Sequence, residues 1–335
     1  MDQPYQKFGI IGAGAWGTAL AATLHRAGRK VVVWSHNPEN ARAINQHHEN
    51  KLHLPGVKLD AAIKATQEFS ELTTADVFLF ATPAQHLREI TKQLVASDIV
   101  KKNVPLIIAC KGIELTSSKF MSSVIAETLP HHKFAILSGP SFAREVAMGQ
   151  PTALTLAIPD HELGEKLAAS MATATFRPYL SDDVVGAQLG GAIKNVLAIA
   201  SGIVTGKALG ENARAAVITR GLAEMIRLGT KLGARPETLM GLSGVGDLVL
   251  TCSSPQSRNM SLGIALGEGR SLKTILKERT SVAEGVPTAS AALALAQKHK
   301  VDMPVVAAIA AVLEGKVSVD QAIAELLARP LKKEH

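Results

Sequence analysis

The sequence is poor in aromatic residues and in cysteine. Aromatic residues make up 4% of the 335 residues, and the two cysteines are Cys110 and Cys252. With so few rings, the core must be built from Ala, Val, Ile and Leu, which suits packed helices and buried parallel strands. Two distant thiols favour free cysteines in a reducing compartment over a disulfide framework.

Signal-peptide and membrane-spanning patterns are also missing. The N-terminus, MDQPYQKFGIIGAG, has no basic region, and its apolar residues run straight into a glycine-rich loop. No stretch approaches the ~20 apolar residues of a membrane-spanning helix. We therefore expect a cytoplasmic protein without an integral membrane segment.

The formal charge of +7 favours an anionic ligand, either a phosphorylated metabolite or nucleic acid. Because no basic run is interleaved with aromatics, we expect no nucleic-acid partner. The histidines that stand close together, His47, His48, His53, His131 and His132, have no spacing typical of a metal site and no cysteine or carboxylate cluster beside them. We expect no metal.

Short β-branched runs alternate with helical patterns in the first half of the chain. Strands are predicted at Lys7–Ile11, Lys30–Trp34, Asp76–Ala81, Val104–Ala109, Lys133–Leu137 and Ala153–Ala157, and helices at Thr18–Ala27, Gln85–Val95 and Lys119–Leu129. This alternation predicts βαβ units and a parallel sheet covered on both faces.

The second half is rich in Ala, Leu and Gly at helical spacing. One helix is predicted over Asn212–Leu228, ending near Gly229 or Gly233. We predict an α/β protein: an N-terminal Rossmann-like doubly wound sheet over residues 1–186 and a C-terminal all-α domain over residues 187–335.

A glycine motif, GAGAWG at residues 12–17, follows the first strand and opens a helical pattern. In a dinucleotide-binding fold, Gly12 allows the tight turn, Gly14 lets the backbone approach a pyrophosphate, and Gly17 lets helix and strand pack closely. A purely structural turn is the alternative. The context predicts binding of NAD(H) or NADP(H).

No carboxylate stands at the end of the second strand, where one would bind the ribose 2′-hydroxyl of NAD. The residues there are Ser35, His36 and Asn37, with Arg42 nearby. None of them would repel a 2′-phosphate, so the sequence favours NADPH. His36 as an ordinary solvated loop residue remains the alternative.

Polar residues follow several predicted strands, at the edge where ligands bind such sheets. Lys111 follows PLIIAC directly, and Ser138–Ala143 follows KFAIL. Thr82-Pro83 follows VFLFA and is either a ligand-facing pair or a turn. Lys111 is either functional or a surface lysine.

Lys194 and Asn195 interrupt a helix of small apolar residues, where polar groups are costly unless they face a cleft. Asp247 lies in the loop-like segment GVGDL and is expected to meet Lys194. A structural ion pair and a functional pair are both compatible with this pattern.

The segment Ser257-Arg258-Asn259 precedes a helical pattern, Met260–Leu266. Ser257 is a predicted N-cap, and Arg258 adds a charged fork beside the helix start. A phosphate site is one interpretation, and an ordinary cap beside a solvated arginine is the other.

Taken together, the motifs resemble the bacterial type of NAD(P)-dependent glycerol-3-phosphate dehydrogenase over nearly the whole chain. The similar segments are GAGAWGTALA, CKGIE, LSGPSFAREVAMGQPTA, LGGAIKNVLAIASGI, ENARAAVITRGLAEM, GLSGVGDLVLTCSSPQSRN and SVAEG.

The resemblance implies roles for individual residues. It implies a catalytic set of Lys194, the proton acceptor, with Lys111 and Asp247. It implies cofactor contacts at Gly12, Gly14, Ala15, Trp16, Gly17, His36, Lys111, Ala143, Arg258, Val282 and Glu284. It implies substrate contacts at Lys111, Gly139, Ser141, Lys194, Asp247, Ser257, Arg258 and Asn259.

The implied reaction is the reversible NAD(P)H-dependent reduction of dihydroxyacetone phosphate to sn-glycerol 3-phosphate, feeding glycerophospholipid synthesis. One alternative is another dehydrogenase of the same architecture that acts on a β-hydroxyacid or a sugar acid. A second is a non-catalytic sensor that binds NADPH. The sequence leaves the oligomeric state open, with a homodimer among the candidates.

Overall fold

An eight-stranded sheet forms the N-terminal half of the protein. The computed structural model describes residues 3–279 and 282–330. The strands are β1 (Lys7–Ile11), β2 (Lys30–Trp34), β3 (Lys64–Thr66), β4 (Val77–Phe80), β5 (Leu106–Ile108), β6 (Phe134–Ser138), β7 (Thr152–Ala157) and β8 (Phe176–Ser181).

The strand order is β3-β2-β1-β4-β5-β6-β7-β8, which confirms the predicted doubly wound sheet. The order reverses between β1 and β4, and ligands bind beyond the carboxyl ends of the strands at such a switch point. The prediction of a fully parallel sheet was wrong at one pair, because β6 and β7 are antiparallel. The chain between them forms only the short helix α5 (Ala143–Ala147), which packs on the first helix of the fold and does not cross the sheet.

The central strands are buried on both faces. In β4, Val77 and Leu79 belong to one apolar cluster, whereas Phe78 and Phe80 belong to the cluster on the other side. Each of these four side chains is at most 1% exposed. This burial explains why central strands appear in the sequence as continuous apolar runs.

The two strands that the sequence does not predict, β3 and β8, lie at the edges of the sheet. Their sequences are KAT and FRPYLS, which mix polar and apolar residues. An edge strand is paired on one side only and needs no continuous apolar run. Composition therefore gives no clear signal for either strand.

Helices cover the two faces of the sheet. Besides α5, they are α1 (Ala15–Arg26), α2 (Pro38–His47), α3 (Leu87–Ala96), α4 (Met121–Thr128) and α6 (His161–Met171), with 3₁₀ turns at Phe69–Leu72 and Ala84–His86.

The described residues after Ser181 form helices and no strand, as predicted. These helices are α7 (Val184–Gly206), α8 (Glu211–Lys231), α9 (Pro236–Leu239), α10 (Asp247–Ser253), α11 (Arg258–Gly267), α12 (Leu272–Glu278), α13 (Gly285–Lys298), α14 (Pro304–Leu313) and α15 (Val319–Leu327). The helix predicted over Asn212–Leu228 corresponds to α8. It is followed by Gly233 at φ +87°, a conformation that suits glycine at a helix end.

The long helix α7 lies at the centre of the helical half. By length and hydropathy it could span a membrane, which contradicts the expectation that no such stretch exists. However, 89% of its apolar window is buried inside the protein, so it is the core helix around which the others pack.

Glycines bring α11 against α7 at backbone contact. A Cβ at Gly202 would clash with the Met260 carbonyl oxygen, and one at Gly263 would clash with the Ile199 carbonyl oxygen. Because α7 carries Lys194 and α11 begins at Arg258, this contact fixes two predicted parts of the site relative to each other.

The segment around GVGDL was wrongly predicted to be loop-like. Leu242–Gly246 forms a π-helical turn that leads into α10, which begins at Asp247. Its glycines serve close packing: a Cβ at Gly244 would clash with the Leu239 carbonyl, and one at Gly190 of α7 would clash with the Ser243 carbonyl. Asp247 is therefore held on a packed helix.

Candidate active site

The glycine loop lies at the switch point of the sheet and has the geometry of a pyrophosphate cradle. Gly12 adopts φ +115°, and a Cβ there would lie 2.9 Å from the Ala81 carbonyl carbon. A Cβ at Gly17 would clash with the Gly12 carbonyl oxygen. At Gly14 a Cβ would meet nothing within 4 Å, so open space borders the backbone where a phosphate would bind.

The N-terminus of α1 offers free amide donors to that space. Its N-cap, Gly14, makes no side-chain cap, and the first helical hydrogen bond runs from Thr18 N–H to the Gly14 carbonyl at 3.0 Å. The amides of residues 15–17 therefore have no partner within the helix, and no acidic residue lies in the first turn. The buried Trp16 Nε1 also has no hydrogen-bond partner among the described residues.

Two asparagines that sequence analysis missed hold this loop from behind. Asn40 Nδ2 and Asn50 Nδ2 each donate to the Ala13 carbonyl at 2.8 Å, and Asn50 Nδ2 also donates to Thr18 Oγ1 at 2.7 Å. Both asparagines are buried. In the sequence, each is an asparagine in a polar segment. Such residues are too common to be identified before the fold is known.

At the end of β2, the two polar residues differ in orientation. Ser35 is buried and donates its hydroxyl to the Asn37 carbonyl at 2.9 Å, so it points away from solvent. His36 is exposed, with its ring 6.2 Å from that of Trp34, and Arg42 is exposed on α2. The Ser35 hydroxyl is therefore turned away from a 2′-phosphate, whereas the His36 and Arg42 side chains are exposed.

Two lysines converge on a single carboxylate, as the sequence predicted for Lys194. Lys194 Nζ lies 2.6 Å from Asp247 Oδ1, and Lys111 Nζ lies 2.7 Å from Asp247 Oδ2. The Asp247 side chain is 1% exposed, against 10% for Lys194 and 16% for Lys111. Burying Asp247 without these partners would be costly, so the three residues stabilise one another.

Each ammonium group of this centre has one N–H left for a ligand. Lys194 donates to Asp247 and to Thr251 Oγ1 at 3.0 Å, whereas Lys111 donates to Asp247 and to the Gly139 carbonyl at 2.9 Å. An ammonium carries three donors, so one remains on each. With two cations and one anion, the centre has a net positive charge that attracts an anionic substrate.

The pKa of Lys111 is lowered to about 8 by burial. The Asp247 carboxylate opposes this effect and the Lys194 ammonium reinforces it. The positive charge of Lys111 is therefore lost within an accessible pH range.

Thr251 is a member of this centre that sequence analysis missed. Its hydroxyl donates to the Asp247 carbonyl at 2.6 Å and accepts from Lys194. Residues four apart lie on the same face of a helix. Had the segment been predicted as a helix and not a loop, the spacing from Asp247 to Thr251 would have indicated the contact.

The loop after β6 supplies the next predicted residues. Gly139 adopts φ +144°, and a Cβ there would lie 3.0 Å from Leu154 Cδ2. Its carbonyl accepts from both Lys111 and the Ser141 hydroxyl, the latter at 3.0 Å. Ala143 begins α5 two residues beyond Ser141. Gly139 is thus hydrogen-bonded to the lysine centre, formed by Lys111, Lys194 and Asp247, and Ser141 is hydrogen-bonded to Gly139.

The helix start at Ser257 forms as predicted. Ser257 Oγ caps α11 by accepting from Met260 N–H at 3.2 Å, and the Arg258 side chain is exposed. Asn259 Nδ2 donates to Asn195 Oδ1 at 2.9 Å, and its Oδ1 accepts from Gly285 N–H at 3.0 Å. The Asn259 side chain therefore links α7 to the start of α13. One of its amide hydrogens has no partner among the described residues.

Glu284 joins the helical half to the sheet. Its Oε1 accepts from Ala84 N–H at 3.1 Å, and its buried Oε2 has no partner among the described residues. Burial raises its pKa to about 7, while the Ala84 hydrogen bond and the Arg258 charge oppose that rise. Val282 is 45% exposed two residues earlier.

The cysteines and Thr82 lie inside the protein. Both cysteines are buried and unpaired, and burial raises the pKa of each thiol to about 12. The Thr82 hydroxyl lies 3.6 Å from Cys110 Sγ, so it packs inward, next to a turn at Pro83. Within the described ranges, no three His, Cys, Asp or Glu residues are grouped as metal ligands.

Comparison with known proteins identifies the relatives of this chain. The model for the N-terminus of NAD-dependent glycerol-3-phosphate dehydrogenase matches residues 7–164, and the model for its C-terminus matches residues 183–324. Glycerol-3-phosphate dehydrogenase [NAD(P)+] of Parvibaculum lavamentivorans is 51% identical, covering 100% of both chains. That of Rhodospirillum rubrum is 55% identical, covering 100% of this chain and 95% of its own.

A solved structure has the same fold over its whole length. The crystal structure of glycerol-3-phosphate dehydrogenase from Coxiella burnetii superposes with a TM-score of 0.93 at 37% sequence identity. It covers 97% of this chain and 99% of its own. The chain belongs to the NAD-dependent glycerol-3-phosphate dehydrogenase family.

Proposed function

We propose that this protein catalyses the reversible NAD(P)H-dependent reduction of dihydroxyacetone phosphate to sn-glycerol 3-phosphate. The observation that carries the proposal is the pair of lysines on Asp247, each with one N–H that no described residue takes, where Lys111 follows β5 at the same carboxyl-end edge of the sheet as the glycine loop. Full-length relatives named for this activity support the choice of substrate.

The glycine loop binds the cofactor pyrophosphate through the backbone at Gly14 and the free amides at the start of α1. Trp16 Nε1 and Glu284 Oε2 are buried without a hydrogen-bond partner among the described residues, so a bound ligand would satisfy them. When bound, NAD(P)H supplies a hydride for the carbonyl carbon of the substrate. His36 and Arg42 accommodate a 2′-phosphate, so NADPH is preferred.

Lys194 donates a proton to the alkoxide that forms at the substrate carbonyl, and it accepts that proton in the reverse direction. Asp247 and Thr251 take two of its N–H groups and thereby orient the third toward the substrate. Lys111 directs its own free N–H to the same space and adds positive charge near the developing alkoxide. General acid help of this kind is typically worth ~10²–10⁴ in rate.

The start of α11 binds the substrate phosphate. Arg258 offers an exposed guanidinium fork, Asn259 offers its remaining amide hydrogen, and the cap residue Ser257 lies beside them. Gly139 and Ser141 complete the wall on the side of Lys111. Fixing the phosphate at one end places the reacting carbon at the other.

The remaining proposals concern organisation and cellular role. We divide the chain into a dinucleotide-binding domain over residues 1–186 and a substrate-binding domain over residues 187–335. The protein acts in the cytoplasm, and its product feeds glycerophospholipid synthesis; a homodimer is one candidate for its assembly.

The direct test is to mix the purified protein with dihydroxyacetone phosphate and follow the absorbance of NADPH, then of NADH. Cofactor oxidation that requires the substrate supports the proposal. The ratio of the NADPH rate to the NADH rate tests whether His36 and Arg42, beyond the end of β2, favour NADPH. NADPH oxidation with the aldehyde that corresponds to oxidised 3-hydroxyisobutyrate, and not with dihydroxyacetone phosphate, would replace the substrate. Tight NADPH binding without turnover on either substrate would indicate a sensor.

A further inference from the structure

The segment that carries Lys111 is a closed loop of residues 111–120, termed here the lysine loop. An isolated bridge pairs Ile113 with Phe120, and Glu114 N–H donates to the Lys119 carbonyl at 2.9 Å. Ser118 N–H returns to the Glu114 carbonyl at 2.8 Å. The loop is therefore a compact, internally hydrogen-bonded unit.

A buried ion pair ties this unit to α3. Glu114 is 5% exposed, and its two oxygens accept from Arg88 Nε and Nη2, each at 2.9 Å. The Ser117 hydroxyl donates to the same carboxylate. The Arg88 hydrogen bonds hold the pKa of Glu114 below its usual range, so the pair stays charged at neutral pH. Two parallel bonds fix an orientation as well as a distance.

A second tie lies one turn earlier on the chain. Gln85 Nε2 donates to the Ile113 carbonyl at 2.8 Å, and Gln85 Oε1 accepts from Leu115 N–H at 2.9 Å. One side chain thus binds the backbone on both sides of Glu114. Among the hydrogen bonds and ion pairs of the described residues, none joins Gln85 or Arg88 to the lysine centre itself.

The lysine loop also packs closely against the segment of residues 84–88. A Cβ at Gly112 would lie 2.7 Å from Ala84 Cβ, so only glycine fits there. Ala84 N–H in turn donates to Glu284. Residues 84–88 therefore contact the loop that carries Lys111 and the residue that links the helical half to the sheet.

We infer that Gln85 and the Arg88–Glu114 pair are positioning residues that set the place of the Lys111 ammonium between Asp247 and Gly139. The inference rests on the role of Lys111 in the proposed function. Lys111 meets its two partners at 2.7 and 2.9 Å, close to the optimum for charged hydrogen bonds. A displacement of the Lys111 ammonium by about 1 Å would take both bonds outside hydrogen-bond distance.

The test compares three variants. Glu114→Gln keeps the shape but removes the charge that holds Arg88, and Gln85→Met removes both backbone contacts. Glu89→Gln is the matched control, because Glu89 is exposed on the same helix and accepts from Gln93 Nε2 at 3.0 Å, with no hydrogen bond to the lysine loop among the described residues. We expect the first two to lose ~10- to 10²-fold in kcat/KM for dihydroxyacetone phosphate. The Kd for NADPH and the activity of the control should change little.

The pH titration of the Lys111 amine is the second measurement. Its rate of acylation is followed by peptide mass spectrometry from about pH 6 to pH 11. We expect a midpoint near 8 in the wild type, moving toward the ordinary 10.5 in Glu114→Gln and Gln85→Met as the amine leaves its buried place. A residue that only stabilises the fold would leave this midpoint unchanged below the melting temperature.

Unchanged kinetics together with an unchanged midpoint in folded Glu114→Gln and Gln85→Met would overturn the inference. If Glu114→Gln does not fold, Arg88→Lys carries the same expectation, since it keeps the charge and loses the two-pronged geometry. If the wild type does not reduce dihydroxyacetone phosphate but the midpoint still moves in the variants, the proposed function fails and the positioning role stands.

Discussion

The glycine loop and the lysine centre are built in opposite ways. The loop spans residues 12–17 and works through backbone groups, which the absence of side chains makes accessible. The centre works through charged side chains brought together from distant positions: Lys194 and Asp247 are 53 residues apart, and Lys111 and Asp247 are 136 apart. Substitutions in the loop should therefore act by filling space, and substitutions in the centre should act by changing charge.

Removing the proton donor should have the largest effect. We expect Lys194→Ala to lower kcat by at least ~10²-fold, because the variant loses the proposed proton donor. The Kd for NADPH should remain near the wild-type value, since the glycine loop is untouched. Lys207→Ala, near the end of the same helix, is the control for general effects on α7. Activity within a few-fold of wild type would remove Lys194 from the mechanism.

Two alanine substitutions in the glycine loop should separate binding from stability. Gly14→Ala adds a methyl group where the protein has open space, so we expect little change in melting temperature but ~10-fold or greater loss of NADPH affinity. Gly17→Ala should weaken both, because the methyl group clashes with the Gly12 carbonyl. Calorimetry and fluorescence titration measure the two quantities. Equal destabilisation by both variants would contradict this separation.

Replacing a glycine of the α7–α11 contact by alanine should lower the free energy of unfolding, whereas the same replacement stabilises an isolated helix. In a free helix, Gly→Ala gains about 1 kcal/mol. Here a methyl group at Gly202 must displace the Met260 carbonyl, so Gly202→Ala should lower the free energy of unfolding by about 1–3 kcal/mol. The exposed Gly269 would be a poor control, because its φ of +91° strains alanine. Denaturant unfolding provides the measurement, and a stabilised variant would show that α7 and α11 are not in backbone contact.

The charge of Lys111 should give the smallest and most graded effect. Its folded-state pKa of about 8 lies below the usual 10.5, so the ammonium loses its proton as pH rises through 8. We expect kcat/KM for dihydroxyacetone phosphate to fall several-fold over that step, since kcat/KM reports ionisations of the free enzyme. Lys111→Arg, which stays charged, should flatten the alkaline limb. An identical limb in that variant would assign the ionisation to another group.

Sequence alone predicted the central strands well because their burial on both faces leaves continuous apolar runs. It did not predict β3 and β8, whose positions at the edges remove that signal, or the reversal at β7, which depends on the path of one short helix. The segment before Asp247 was mistaken for a loop because its glycines suggested flexibility. In the fold they serve close contact with Leu239 and α7.

The residues of the candidate site also divide into those that the sequence predicts and those that it does not. Motif residues such as Lys111, Lys194 and Asp247 were identified, and the structure brings them together. The groups that hold them were not. Thr251, Gln85 and the Arg88–Glu114 pair are ordinary polar residues whose roles depend on partners about 4 to 57 positions away. Such roles become visible only when the chain is folded.

The glycine contact between α7 and α11 also bears on which substrates fit. Lys194 projects from one helix, and the proposed phosphate-binding turn at Ser257–Asn259 begins the other. Since the two backbones touch, the separation between proton donor and anion site cannot adjust by sliding. Under the proposed roles of Lys194 and this turn, the phosphate of a substrate must stand a fixed number of bonds from the carbonyl that is reduced. Longer or shorter phosphorylated ketones would bind with one end out of place.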